Sequence, residues 1–154
     1  MLNKYNKLLD ILKSVDLKKI NNNEINYFKN KKILITGVSG IIGINLLFFF
    51  DALNNNKKTK TVIDGTFNTS IFPFVKKYFK KNKLINFKQI DLSEKILNTK
   101  KKYDLIFHCA GYGQPSKFLK FSNATFKLNS STIMALKKNL KKNGKFLYMS
   151  STEI

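Results

Sequence analysis

Arginine and tryptophan are absent from the chain, and cysteine and histidine occur once each among its 154 residues. The single cysteine, Cys109, cannot form an internal disulfide, and no cysteine–histidine cluster is present that could hold a metal. The longest apolar run, residues 41–50, contains Asn45 and is shorter than the roughly 20 residues of a membrane-spanning helix. The N-terminus mixes lysine and aspartate among its leucines, unlike a secretory leader. We therefore expect a cytoplasmic protein outside the membrane, without disulfide or metal.

Lysine supplies all of the positive charge: 29 lysines outnumber nine acidic residues, and the net charge is +20. Such a charge can favour nucleic acid, because lysines that neutralise phosphates release counterions. However, arginine, the preferred residue for bidentate contacts with phosphate and guanine, is missing. The lysines are also scattered among asparagines and isoleucines, as the codons of an AT-rich genome would produce. We do not expect nucleic acid as a partner, although weak attraction to anionic ligands fits either interpretation.

Short apolar runs of strand length alternate with stretches of helical spacing along the chain. The predicted strands are residues 33–35, 61–63, 84–90, 103–111 and 145–150. The predicted helices are residues 2–15, 41–53, a helix that starts at Pro73, and 124–143, with a loop at 21–23 and Gly144 capping the last helix. This order predicts an α/β fold with a doubly wound, Rossmann-like parallel sheet of about five strands.

The first predicted strand divides the chain into two parts. Residues 1–30 form a predicted N-terminal helical extension, and residues 31–154 form a predicted nucleotide-binding domain. The extension could pack on the core, cap an edge of the sheet or meet a partner subunit. We favour the core, because its apolar residues form one stripe of a helix.

Three glycines, Gly37, Gly40 and Gly43, follow the first predicted strand in "TGVSGIIG" and lead into a helix. The first permits a tight turn, the second permits close approach of a pyrophosphate, and the third permits close packing of the helix. The helix then presents free N–H groups and its positive end to the phosphates. The expected dinucleotide contacts of this turn also include Ser39, Ile41 and Ile42.

Asp64 is expected to end the second strand, about 20 residues after the glycines. A carboxylate there can accept hydrogen bonds from both ribose hydroxyls. It would also repel a 2′-phosphate, and the chain has no arginine to bind one, so we expect NAD rather than NADP as the cofactor. The alternative is that Asp64 is a turn residue in "DGT".

Several segments in order resemble the NAD-dependent epimerase/dehydratases, which are extended short-chain dehydrogenase/reductases that act on nucleotide sugars. "ITGVSGIIG" resembles their TGxxGxxG turn. "IDLSE" resembles their adenine-binding pair, here Asp91 and Leu92. "DLIFHCAGYGQP" resembles their fourth strand, and the resemblance implies that Ala110 and Gly111 pass beside the nicotinamide ribose. "KLNSSTIMAL" resembles a helix that carries an asparagine, here Asn129, and the resemblance covers about residues 31–154.

The resemblance implies a mechanism in which NAD takes a hydride from a sugar carbon, usually C4. The resulting keto sugar is then epimerised, dehydrated or decarboxylated. "KFLYMSSTEI" resembles the end of the fifth strand, which places Ser151 where a hydroxyl hydrogen-bonds the reacting sugar oxygen. Glu153 matches a glutamate that serves in later proton chemistry in dehydratases and decarboxylases. The alternative for "SSTE" is a helix cap that begins at Ser150.

The sequence also departs from this family. The Y-x-x-x-K base, a sixth strand and the smaller substrate domain would all follow Ser151, so we expect an incomplete NAD-binding portion that does not turn over alone. A nucleotide sugar would bind mostly through that missing C-terminal domain, and a homodimer is left open. His108 is expected to be a packed structural residue and Cys109 a buried small one. Alternatives are a non-catalytic, lysine-rich module that binds a dinucleotide or RNA, and a decayed fragment.

Overall fold

A parallel sheet of five strands lies at the centre of the structure, a computed structural model that describes residues 2–149. The strands are β1 (Lys32–Thr36), β2 (Val62–Phe67), β3 (Ile85–Gln89), β4 (Tyr103–His108) and β5 (Leu140–Tyr148). The helices are α1 (Leu2–Lys13), α2 (Asn22–Phe28), α3 (Ile41–Lys57), α4 (Pro73–Phe79), α5 (Pro115–Lys120), α6 (Ser122–Asn129) and α7 (Ser131–Lys137). The predicted alternation of strands and helices is confirmed.

The strand order is β3-β2-β1-β4-β5, and every neighbouring pair is parallel. The chain runs outward from β1 to β3 and then crosses to the other side of β1 for β4 and β5. The direction of winding therefore reverses between β1 and β4. In sheets of this kind, a crevice opens at that reversal, outside the carboxyl ends of the strands. The predicted doubly wound, Rossmann-like fold is confirmed.

Each face of the sheet is covered by a separate apolar cluster. Alternate residues of β1 divide between the two clusters, since side chains of a strand point to opposite faces. Ile33 and Ile35 join the cluster under α3 and α4, whereas Leu34 joins a cluster that α6 and α7 complete with Leu128 and Leu136. Helices therefore cover both faces of the sheet.

The N-terminal residues belong to the helical layer beside α3. Helix α1 packs against α3 and α4, with Leu12 buried in the first cluster and the Lys13 Nζ 4.8 Å from the centre of the Tyr78 ring. Helix α3 is the longest at 17 residues. Across residues 2–149, no helix is both long enough and apolar enough to cross a membrane.

A second short helix, α2, occupies part of the predicted loop at 21–23, so that prediction is wrong. Asn21 caps this helix: its Oδ1 accepts a hydrogen bond from the Glu24 N–H at 3.0 Å. The Glu24 carboxylate in turn accepts one from the Asn21 N–H at 2.9 Å. This reciprocal pair is a capping box, and the spacing Asn-x-x-Glu is the sequence signal for it.

The single helix predicted for residues 124–143 is also wrong. It divides into α6 and α7 at Ser130, whose φ of −130° and ψ of −86° are not helical, and α5 precedes both. Gly144 lies inside β5 instead of capping a helix. The register advances from Tyr103↔Leu140 to Leu105↔Lys145, so β5 bulges there. A Cβ on Gly144 would lie 3.0 Å from the Tyr103 carbonyl oxygen, which explains a glycine in the bulge.

We predict that Gly43→Ala destabilises the fold. A Cβ at this position would lie 2.3 Å from the Gly37 carbonyl oxygen and 2.9 Å from the Val38 Cα, so backbone would have to move. Overpacking of this kind costs about 1–3 kcal/mol of the free energy of unfolding. Thermal denaturation followed by circular dichroism should show a lower midpoint. Gly113→Ala is the control, because nothing lies within 4 Å of its added Cβ, and equal midpoints for the two variants would contradict the prediction.

Candidate functional site

A cleft of about 220 Å³ lies at the carboxyl ends of β1, β2, β3 and β4. It occupies the position where ligands bind in open α/β sheets. Its lining residues are Gly37, Ser39, Gly40, Thr66, Phe67, Asn68, Ile90, Asp91, Leu92, Cys109, Ala110, Gly111, Tyr112 and Leu128.

The turn after β1 forms one wall of the cleft. Gly37 has a φ of +70°, and an added Cβ would lie 2.8 Å from the Ala110 nitrogen, so only glycine fits. At Gly40 the nearest atom to an added Cβ is the Gly37 carbonyl oxygen at 3.3 Å, and Gly40 is exposed. Gly37 is therefore fixed by the fold, whereas a side chain at Gly40 would mainly fill the cleft.

Helix α3 begins at this wall, with Gly40 as its N-cap and no side chain capping it. Ile41 and Ile42 are 80% and 47% exposed, respectively. The N–H groups of the first helical turn have no carbonyl partner within the helix, and they carry its positive end. This arrangement can bind an anionic group without any charged side chain, which suits a chain that has no arginine.

Asp91 brings a negative charge to the other side of the cleft. Its carboxylate accepts hydrogen bonds from the Ser93 hydroxyl at 2.6 Å, the Ser93 N–H at 2.9 Å and the Asn68 Nδ2 at 3.0 Å. The bond from the Ser93 hydroxyl is the main cause that lowers the pKa of Asp91. The carboxylate is therefore ionised at neutral pH, and it holds the Asn68 amide at the end of β2.

Asp64 lies elsewhere, and the prediction that it ends the second strand is wrong. Strand β2 continues for three residues to Phe67, and Asp64 does not line the cleft. Its carboxylate accepts hydrogen bonds from the Lys101 Nζ at 2.7 Å, the Tyr103 hydroxyl at 2.8 Å and the Asn86 Nδ2 at 3.0 Å. Burial alone would raise the pKa of Asp64, but these hydrogen bonds outweigh it and hold the pKa below its ordinary value. Nor is Asp64 a turn residue.

His108 joins β1, β4 and α6 through a buried chain of hydrogen bonds. Its Nε2 lies 2.9 Å from the Leu128 carbonyl oxygen, which can only accept, so Nε2 carries the proton. Its Nδ1 therefore accepts from the Thr36 hydroxyl at 2.7 Å, and Thr36 in turn accepts from the Ala110 N–H at 3.2 Å. Burial lowers the pKa of His108, so the ring is neutral and structural, as the sequence predicts.

Two further residues of the cleft, Cys109 and Thr66, carry a thiol and a hydroxyl group. Burial raises the pKa of the Cys109 thiol to about 11, which leaves no thiolate at neutral pH. The Thr66 hydroxyl is buried, and within residues 2–149 it has no hydrogen-bond partner. Buried polar groups are rarely left unpaired, so a bound polar group would complete this site. The glycine wall and this hydroxyl together fit a dinucleotide.

The remaining predicted residues divide into three groups. Ala110 and Gly111 line the cleft, and nothing lies within 4 Å of a Cβ added to Gly111. Asn129 is the exposed last residue of α6, and it does not line the cleft, although Leu128 beside it does. Ser151 and Glu153 lie outside the described residues.

Sequence reasoning missed seven residues of the lining: Thr66, Phe67, Asn68, Ile90, Cys109, Tyr112 and Leu128. The first three were missed because "DGT" resembles a turn, whereas β2 continues through it to Phe67. Tyr112 stacks on Phe121 with ring centres 5.2 Å apart, a contact with no local sequence signal.

Comparisons with known proteins agree with this geometry. The model of the "NAD dependent epimerase/dehydratase family" matches residues 33–154. A search of curated proteins by sequence gave no match. Among solved structures, Epimerase Mth375 from Methanothermobacter thermautotrophicus has a TM-score of 0.63 and 19% identity, over 84% of this chain and 38% of its own.

Two further structures are similar. Pen from Bacillus thuringiensis has a TM-score of 0.61 and 21% identity, over 80% of this chain and 39% of its own. Bordetella bronchiseptica WbmF in complex with NAD+ and UDP has a TM-score of 0.59 and 18% identity, over 83% of this chain and 40% of its own. The chain thus spans about two fifths of the length of these structures, and at such identities the likeness shows a shared fold. Since the family model covers most of the sequence, the chain belongs to the NAD dependent epimerase/dehydratase family, whose cofactor is NAD.

Proposed function

We propose that this chain is the NAD-binding portion of an enzyme that modifies a nucleotide sugar through a transient 4-keto sugar. The observation that carries the proposal is the cleft itself. It joins the bare glycine wall and the start of α3 to an ionised carboxylate, Asp91. A dinucleotide has an anionic pyrophosphate at its centre and hydrogen-bond donors at its adenosine end. The start of α3 suits the pyrophosphate, and the Asp91 carboxylate suits the donors.

The residues of the chain would divide the dinucleotide between them. The turn at Gly37, Ser39 and Gly40, with the N–H groups of Ile41, Ile42 and Gly43, would hold the pyrophosphate. Asp91 and Leu92 would hold the adenosine end, with Asn68 beside them. Ala110 and Gly111 would border the nicotinamide ribose. Asn129 is a proposed cofactor residue on the strength of the family resemblance, although neither it nor Asp64 lines the cleft.

When bound, NAD supplies the chemistry of hydride transfer to and from a sugar carbon. The neutral His108 ring accepts a hydrogen bond from the Thr36 hydroxyl, which in turn accepts one from the Ala110 N–H. These bonds would position Ala110 beside the nicotinamide ribose. Ser151 would hydrogen-bond the reacting sugar oxygen, and Glu153 would move a proton after oxidation. Glu153 mildly favours dehydration or decarboxylation over epimerisation.

The nucleotide-sugar substrate is supported by the solved structure of WbmF, whose complex contains NAD+ and UDP. Because this chain spans about two fifths of that structure, the substrate is proposed for the whole enzyme. A homodimer is supported by apolar side chains that α6 and α7 leave exposed, Phe126 and Met134.

We predict that Gly40→Val prevents NAD binding and leaves the domain folded. The valine side chain would occupy the space over the first turn of α3, where the pyrophosphate is proposed to lie. Isothermal titration calorimetry should show at least about a tenfold loss of NAD affinity, the equivalent of 1.4 kcal/mol. Gly113→Val, in open space, is the matched control and should bind NAD as the parent does. Unchanged affinity in Gly40→Val would remove the phosphate from this turn.

We predict that NAD affinity stays constant between pH 7 and pH 8.5. The pKa of Asp91 is lowered, so it is already ionised, and the pKa of His108 is lowered from 6.5, so it is already neutral. The Cys109 thiol, with a pKa of about 11, stays protonated. Titration calorimetry at several pH values, in buffers of constant ionic strength, would measure this. A change of affinity with a midpoint near pH 7 to 8 would contradict this, since it would mean that the Cys109 thiol in the cleft or the buried His108 ring behind it titrates in that range.

A further inference from the structure

Asp64 faces a second cavity, of about 420 Å³, on the sheet face over β2 and β3. The floor of this cavity includes Asp64 and Asn86, and its roof is the loop that joins β3 to β4. Thr66 lines both this cavity and the cofactor cleft, so the two spaces adjoin. Movement of the loop would therefore change the shape of both.

The β3–β4 loop, residues 90–102, contains neither helix nor strand. Its first residues, Ile90, Asp91 and Leu92, form a wall of the cofactor cleft. Its later residues Leu97, Asn98, Thr99 and Lys101 cover the second cavity. This loop thus contributes to both spaces, and different hydrogen bonds hold its two ends.

The first end of the loop is well supported by the fold. The Ile90 N–H donates to the Phe67 carbonyl oxygen at 2.8 Å, and the Thr132 hydroxyl donates to the Leu92 carbonyl oxygen at 2.8 Å. At the other end, the Asn139 amide donates to the Thr99 carbonyl oxygen at 3.0 Å and to the Lys101 carbonyl oxygen at 3.3 Å. Within the described residues, the hydrogen bonds from 97–101 to β2 are those of the Lys101 Nζ, at 3.0 and 2.7 Å from the Asp64 carboxylate oxygens.

We propose that Asp64 is a positioning residue for the cofactor cleft, which it shapes by holding the β3–β4 loop through Lys101. The Lys101–Asp64 ion pair ties the loop to the sheet across the second cavity, and the Tyr103 hydroxyl and Asn86 amide fix the carboxylate that receives it. Leu97 and Leu92 are both buried in one apolar cluster, which transmits the position of the tied end to the wall of the cleft. The inference rests on the proposed NAD site, and it gives Asp64 an indirect role in place of the ribose contact.

The test compares NAD and NADP affinities by titration calorimetry for the parent chain, Asp64→Asn, Lys101→Met and the double variant. Lys101 is half exposed, so the expected effect is modest: about a two- to fivefold loss for each single variant. The double variant should lose no more than either single one, because both remove the same link. NAD and NADP should be affected by the same factor, because the loop rather than the ribose is altered.

Two further variants separate this role from a general loss of stability. Lys141→Met breaks a matched ion pair, Lys141–Asp104 at 2.8 Å, whose members are 45% and 16% exposed against 53% and 15% for Lys101 and Asp64. It should bind NAD as the parent does. The exchanged pair, Asp64→Lys with Lys101→Asp, should recover part of the lost affinity. Hydrogen–deuterium exchange of residues 90–102 should be faster in Lys101→Met than in Lys141→Met.

The outcomes distinguish this inference from the proposed function. If the folded parent chain binds no NAD, the proposed function fails. If it binds NAD but Lys101→Met and Asp64→Asn bind equally well, only the positioning role fails. A loss in Asp64→Asn alone, larger for NAD than for NADP and not recovered by the exchanged pair, would make Asp64 a direct ribose ligand and overturn the inference.

Discussion

The close approach of α3 to the turn after β1 is the constraint on which both the fold and the cleft depend. A Cβ on Gly43 would lie 2.3 Å from the Gly37 carbonyl oxygen, and one on Gly37 would lie 2.8 Å from the Ala110 nitrogen. Helix α3, β1 and the end of β4 therefore meet backbone to backbone, with no side chain between them. This contact directs the free N–H groups of α3 toward the carboxyl edge of the sheet, where the strands leave a crevice.

The hydrogen bonds of His108 extend the same constraint across the sheet. In the hydrogen-bond chain from the Ala110 N–H through Thr36 and His108 to the Leu128 carbonyl oxygen, each donor faces an acceptor. A protonated ring would lose its bond from the Thr36 hydroxyl and would bury a charge, so the neutral form is the stable one. The only histidine of the chain therefore has a structural role. Charge in the cleft comes instead from Asp91 and from the first turn of α3.

The elements that the sequence predicts well are those fixed by local patterns. The apolar strand before the glycines and the long helix after them need only neighbouring residues to be identified. Residues 141–143 show the opposite case: they are predicted as helix, yet they lie in β5, in the bulge between Leu140 and Lys145, which both pair with β4. Helices as short as α5 carry too few periodic residues to be distinguished from loops.

Asp64 shows how a small error in a strand boundary changes the chemistry assigned to a residue. Strands rise about 3.3 Å per residue, so Asp64 lies about 10 Å before the end of β2, and its carboxylate does not line the cleft. "DGT" suggests a turn, but Gly65 continues the strand. A Cβ added to Gly65 would lie only 2.9 Å from the Val38 Cγ1, so the glycine makes room for the Val38 side chain. That packing depends on the turn after β1 and cannot be read from β2 alone. Within the described residues, the carboxylate that lines the cleft is therefore that of Asp91, which follows the third strand, and not that of Asp64 in the second.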